Sequence, residues 1–218
     1  MALHLVERAP AGRPARVLLL LPGYGDDAGW FTPHVDALDP ERRWHVAVAT
    51  PPLDGPDGPV WFDQTDTGPD PAQVRAAGAA VAWAGATLLA ALALPRGALV
   101  VGGFSQGGAV ALTTLLDPDL PLRPAGVAAL AAFLPPPDPD LRPELASGTP
   151  VLVAHGAHDE AVDPLLGRSA AKLLSRSGAL VCWAQVEGGH ELSGPLAEAT
   201  RRWLAVVADG EAPGAPPA

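Results

Sequence analysis

The sequence predicts an α/β protein, a mostly parallel sheet with helices on both of its faces. Three observations predict it. The short apolar runs Val17–Leu21, Ala98–Val101, Gly126–Leu130 and Val151–Ala154 do not alternate with polar residues, so as strands they are buried on both faces. Segments with helical character separate them, which calls for parallel neighbours joined by right-handed crossovers. The chain has 218 residues, 48% hydrophobic and 17% charged, a globular composition large enough to bury a core without disulfides or metals.

Each element follows from local chemistry. Val17–Leu21 reads as a buried strand ending at Pro22-Gly23, and Trp44–Thr50 as another ending at Pro51-Pro52. A long helix is predicted from Pro71 to Leu94, with Pro71 in its first turn and Asp70 as its cap. Ala76–Leu94 has no charge over 19 residues, long enough to span a bilayer. It is mostly Ala and Gly, which gain little from lipid, so a helix buried in a core is expected and no membrane span. The strand Ala98–Val101 runs into a glycine-rich turn, and Ala109–Leu116 is a helix stopped by Asp117-Pro118. Gly126–Leu130 and Val151–Ala154 are the next strands. Leu165–Ser175 is an amphipathic helix with Arg168, Lys172 and Arg176 outward. Leu180–Val186 is a strand, and Gly194–Val207 a closing helix. The proline-rich stretch Leu134–Pro143 is a loop, because neither side of it has room for an independent core. A single domain over 1–208 is therefore expected, with 209–218 as a disordered tail.

Charge and cysteine usage exclude several classes. The net charge is −10, and Lys172 is the only lysine. Such a surface repels phosphate backbones and anionic lipid, so no nucleic-acid or membrane-surface partner is expected. Cys182 is alone, which excludes a disulfide framework and a cysteine zinc site. There is no Asn, hence no glycosylation sequon. Met1–Glu7 lacks a basic segment followed by an apolar one, so no signal peptide is expected and the cytoplasm is the expected location. Monomer and homodimer both stay open.

The strongest chemical signal is Gly103-Phe104-Ser105-Gln106-Gly107, a G-x-S-x-G between a strand and a helix. A turn of this kind lifts the Ser105 hydroxyl above the sheet and aims the Gln106 N–H at a developing oxyanion. A glycine turn with an incidental serine is the plain alternative; a phosphate loop lacks its lysine. A serine needs a base, and the chain order serine, acid, histidine is completed by Asp159 and His190, each after a strand. Loops at the C-terminal ends of parallel strands share one edge of the sheet, so the three can meet. Asp163 is the rival acid, but Pro164 follows it and it reads as a helix cap. His155 reads as structural, in the turn after a strand, and His158 as surface, so no metal site is expected. The second oxyanion donor is expected from Leu21–Asp27, with the Tyr24 N–H as candidate.

Together these residues resemble the α/β-hydrolase family of small carboxylesterases, the phospholipase/carboxylesterase and acyl-protein thioesterase group. Leu21–Asp27 is similar to its L-H-G-x-G-D loop, Val60-Trp-Phe-Asp63 to its W-F-D, and Gly103–Gly108 matches G-F-S-Q-G-G residue for residue. Ala131–Pro135 is similar to S-G-x-L-P, His155–Asp159 to H-G-x-x-D, and Gly189-His190 to G-H. The resemblance spans about Val17 to Trp203. It implies an α/β-hydrolase fold with minimal or no cap domain, and a cofactor-free serine hydrolase of small-molecule esters or thioesters. It also implies Ser105, Asp159 and His190 as triad, with Tyr24 and Gln106 as oxyanion donors. Pro22 stands where the family has His, which is expected to change the support of the oxyanion loop but to leave the donor N–H at 24; Ala131-Ala132 stand where it has Ser-Gly, so the pocket wall is expected to differ. Trp61, Phe62, Phe133 and Leu134 are expected to line an acyl pocket, although the aromatics can equally be core. A shallow, open site suits short or medium acyl chains. The rival readings are thioester, lysophospholipid, peptide or lactone hydrolysis on the same triad, and a silent binding module that kept the fold.

Overall fold

Every side chain of the strand Val17–Leu21 is buried, and alternate residues point into two different cores. Val17, Leu19 and Leu21 face one; Leu18 and Leu20 face the other. That is the two-sided sheet the apolar runs predict. The computed structural model describes residues 2–135, 138–192 and 194–210. In chain order these form β1 (Leu5–Arg8), β2 (Val17–Leu21), α1 (Ala28–Leu38), β3 (His45–Ala49), β4 (Leu53–Gly55) and β5 (Gly58–Val60). Then come β6 (Gln64–Thr65), β7 (Gly68–Pro69), α2 (Pro71–Ala91), β8 (Leu99–Phe104), α3 (Gln106–Leu116) and β9 (Gly126–Leu130). The chain closes with β10 (Pro150–Gly156), α4 (Pro164–Arg176), β11 (Leu180–Val186) and α5 (Gly194–Ala208).

Seven strands make the main sheet in the order β1-β3-β2-β8-β9-β10-β11. All neighbours are parallel except β1, which joins β3 antiparallel at the edge. The chain winds outward from β2 to β3, then crosses back to β8 and proceeds the other way. The winding therefore reverses between β2 and β8, and a crevice opens outside the carboxyl ends of those strands. One core packs α2, α3 and α4 on the sheet through residues such as Val81, Leu112, Leu115 and Leu174. The other packs α1 and α5 through Phe31, Leu38, Trp203 and Leu204. All eleven residues of α3, the helix that follows Ser105, are buried.

Several elements were not legible beforehand. α1 begins where Asp27 Oδ1 accepts from the Trp30 N–H at 3.0 Å, and it tolerates Pro33 in its interior. β1 is held over the edge by Arg8, which pairs with Asp36 at 2.7 Å and with Asp39. The segment between β3 and α2 folds into two small hairpins, β4–β5 and β6–β7. α2 is long and apolar enough to cross a membrane, and it ends at Ala91 rather than Leu94. It is buried on one face only: Val74, Val81, Leu88 and Leu89 pack inward while Trp83 is 61% exposed. Of the expected tail, the Asp209 N–H bonds the Ala205 carbonyl at 3.2 Å and its carboxylate pairs with Arg43. Residues 211–218 lie outside the described residues.

Candidate active site

Ser105 occupies the single residue between β8 and α3, with φ 54° and ψ −120°. An L residue held at positive φ costs about 1–3 kcal/mol, so neighbours must enforce it. The Ser105 N–H bonds the Leu130 carbonyl at 2.9 Å, and its carbonyl accepts from Gly108 and Ala109 at 3.0 and 3.2 Å. The flanking glycines are required by close approach. A Cβ on Gly103 would collide with the Gly107 carbonyl, and one on Gly107 with the Leu21 and Pro22 carbonyls. Ser105 stands at the N-cap position of α3, yet its side chain makes no capping bond. Its hydroxyl is thus free for other chemistry.

Asp159 and His190 come together. His190 Nδ1 lies 2.8 Å from Asp159 Oδ2. Asp159 Oδ1 accepts from the Ala161 and Val162 N–H groups at 3.0 and 2.8 Å. The ladder between β10 and β11 continues past the strands: Ala157 N–H bonds Val186 O at 2.7 Å, and His158 N–H bonds Gly188 O at 2.9 Å. Those bonds bind the two loops into one unit. The His190 ring leans on Phe104, with centroids 4.8 Å apart. With Nδ1 engaged, Nε2 is the ring atom left for the cavity that His190 shares with Ser105. Among the described residues the Ser105 hydroxyl makes no hydrogen bond to His190; such contacts commonly tighten only when substrate binds. Asp163 instead caps α4, accepting from the Leu165 N–H at 2.8 Å.

His155 is fully buried and His158 exposed, so the two diverge. His155 Nε2 lies 2.9 Å from the Val162 carbonyl and 3.1 Å from Asp159 Oδ2. Among the described residues no group of three or more His, Cys, Asp or Glu is arranged to hold a metal ion.

Tyr24 and Gln106 both line the cavity with Ser105. Among the described residues neither backbone N–H has a partner, which suits donors awaiting an oxyanion. The acyl-pocket expectation needs correction in part. Phe133 and Leu134 line the cavity, but Trp61 and Phe62 do not; both are completely buried. Trp61 Nε1–H bonds the Pro22 carbonyl at 2.9 Å. The Gln106 amide accepts from the Trp61 N–H at 3.1 Å and donates to the Phe62 carbonyl at 2.9 Å. The Trp-Phe pair therefore braces the Tyr24 loop against the serine turn, and Phe62 backs Phe133 edge-on at 6.5 Å. Ala131 and Ala132 are buried and absent from the cavity wall; a Cβ on Gly108 would strike Ala132. Their departure from Ser-Gly bears on support of the turn rather than on the pocket.

The cavity measures about 820 Å³. Sequence reasoning missed Trp30, Asp26, Gln64 and Leu166 in its wall. For Trp30 a signal existed, since Ala28, Phe31, Val35 and Leu38 repeat at helical spacing. Burial, then Asp27, pushes the Asp26 carboxyl above its ordinary value, and His34 and His190 oppose this. Among the described residues no Lys or Arg lines the cavity.

Comparison with known proteins agrees with this architecture. A stretch of 108 residues is 35% identical to acyl-protein thioesterase 1 of Neurospora crassa, covering 44% of this chain and 41% of that protein. The chain thus matches less than half of that relative's length. The crystal structure of esterase PE8 superposes with a TM-score of 0.80 at 22% identity, over 94% of this chain and 99% of that one. At that identity the likeness is one of fold. A carboxylesterase from Mesorhizobium loti gives 0.73 at 26% identity, over 87% and 88% of the two chains. The Phospholipase/Carboxylesterase family matches residues 4–207, so the chain belongs to that family, on the α/β-hydrolase fold.

Proposed function

We propose that this protein is a serine hydrolase that cleaves carboxylic esters of short to medium acyl chains through an acyl-enzyme. One observation carries the reading: His190 Nδ1 is fixed on Asp159, while its other nitrogen shares a cavity with a serine hydroxyl that no cap consumes. In this reading His190 Nε2 takes the Ser105 proton as Oγ attacks the ester carbonyl. The Tyr24 and Gln106 N–H groups hold the oxyanion. His190 then protonates the leaving alcohol, and the same steps with water release the acid. Asp159 keeps the imidazole in the productive tautomer and stabilises its charged form.

The cavity chemistry narrows the substrate. The acyl side is apolar, with Phe133, Leu134 and Leu166; the acidic side chains present are Asp26 and Asp163. A phosphate-bearing leaving group, as in acyl-CoA or a lysophospholipid, finds no Lys or Arg there among the described residues, so neutral esters are favoured. A second reading, a protein thioesterase, is supported by the identity to acyl-protein thioesterase 1 of Neurospora crassa.

The test is a panel of p-nitrophenyl esters of increasing chain length, alongside acyl-CoA and lysophospholipid. Turnover is expected to fall at acyl chains of about ten carbons, with little hydrolysis of the phosphate-bearing compounds. Ser105→Ala is expected to lose ester turnover and fluorophosphonate labelling while keeping its melting temperature. Undiminished turnover in that variant overturns the mechanism.

A further inference from the structure

We infer that the leaving-group side of the cavity selects alcohols that carry a fixed positive charge, an ammonium group two carbons from the ester oxygen, with Asp26 as its counter-charge and Trp30 as its aromatic face. The inference rests on the ester hydrolysis proposed above and names the alcohol that it would release. That reading sets neutral esters above phosphate-bearing ones; a cationic alcohol stands above both. In the proposed mechanism His190 protonates the departing oxygen, so the wall beside His190 is the one the alcohol meets. That wall is a row of rings. Phe104 lies 4.8 Å from His190 and Trp30 6.0 Å from Phe104, centroid to centroid, and all three line the cavity. Phe104 is buried, whereas Trp30 is 39% exposed.

Asp26 stands in the same cavity, on the loop that enters α1, and Trp30 is in the first turn of that helix. The place where a Gly23 Cβ would sit is 3.3 Å from Asp26 Oδ2, 3.3 Å from Phe104 Cδ1 and 3.5 Å from Ser105 Cβ. Carboxylate, ring and nucleophile therefore surround one small space. Asp163, the other acid of the cavity, already accepts from the Leu165 N–H. Among the described residues the Asp26 carboxylate accepts no hydrogen bond and pairs with no Lys or Arg; the charges that act on it are those of Asp27, His34 and His190. It is partly desolvated without a partner in return, and burial raises its carboxyl. A cation that reaches it supplies that partner and favours its ionised form. Indole is the aromatic face that attracts a cation most strongly. An anion in the same place meets repulsion from Asp26.

The experiment measures kcat/KM for choline butyrate and for neohexyl butyrate, the same shape with carbon in place of the charged nitrogen, by pH-stat at low salt. Each value is divided by the ester's rate of hydroxide hydrolysis, so intrinsic reactivity cancels. The parent is expected to favour the choline ester about 5- to 10-fold, the size of one partly exposed charge pair plus one cation–π contact. Asp26→Asn is expected to bring the ratio below about threefold, and Trp30→Leu to lower it about twofold. Damage to the neighbouring Tyr24 loop slows both substrates and cancels in the ratio. A parental ratio near or below one, or a ratio that Asp26→Asn leaves unchanged, overturns the inference. If Asp26→Asn does not fold, salt decides on the parent: the ratio is expected to fall as sodium chloride rises to about 0.5 M, and a flat ratio overturns the inference. Failure of the underlying reading looks different, since the parent then turns over neither butyrate ester nor a p-nitrophenyl ester, and the inference falls with it.

Discussion

At Ser105 the backbone and the side chain make separate demands, and they can be set against each other. The residue must sit at φ 54°, a conformation that glycine adopts freely. Ser105→Gly should therefore relieve strain and raise unfolding stability by about 1 kcal/mol, while removing all turnover. Ser105→Ala removes the turnover but keeps the strained backbone, so its stability should match the parent. Urea titrations of the three proteins check this: a midpoint shift in the Gly variant alone, at constant slope, is the expected outcome. The motif around Ser105 is local, so five consecutive residues announce it. The bonds that enforce it come from Leu130 and from the glycine contacts with Leu21 and Pro22, which lie far away in sequence.

Among the elements, α1 shows how one residue can mask a pattern. Ala28, Phe31, Val35 and Leu38 follow helical spacing and all are buried, but Pro33 in the interior forfeits the bond its N–H would make to Gly29. Burial of that face offsets the loss, and Asp27 closes the first turn. Asp27→Ala should cost about 1 kcal/mol of stability, and Asp27→Ser should restore most of it, as read by thermal melts. Equal stability of the Ala variant would show that packing alone sets the start of the helix. The predicted strands and helices agree with the structure best where both faces are apolar and buried, as in β2 and β9, whose bounds coincide with those read from sequence. They agree least in α1, in β1 and in the hairpins of residues 53–69, where short elements depend on distant partners such as the Arg8 contacts with Asp36 and Asp39.

Across the whole molecule the charge balance is acidic, and the cavity shares that sign. Asp26 carries the consequence. Burial and Asp27 raise its carboxyl above the ordinary value, so the folded state favours the protonated form. Stability linked to this group is fully present below 3.8 and is lost as pH rises through the raised value. Asp26→Asn should accordingly raise the melting temperature at neutral pH by a small amount, and the gain should vanish as pH falls toward 3.8. Melts at several pH values test the sign; destabilisation at neutral pH would show that Asp26 makes a favourable contact in its ionised form.

What the sequence by itself determined was the set of chemical groups and the edge of the sheet they occupy. Ser105, Asp159 and His190 each follow a strand, and parallel strands bring their following loops to one side. Local patterns suffice for that, because strand direction and chain order are properties of the chain. Which side chains face the cavity was decided only in three dimensions. Trp61 and Phe62 look no different in sequence from Phe133, yet the first two are sealed beneath the Tyr24 loop and the third lines the cavity. The same holds for His155: its motif shows a histidine four residues before an acid, and only the packing of β10 against α4 brings its ring within 3.1 Å of that acid while its Nε2 bonds the Val162 carbonyl. Facing and partner choice depend on contacts between residues far apart in the chain, and a linear pattern carries no record of them.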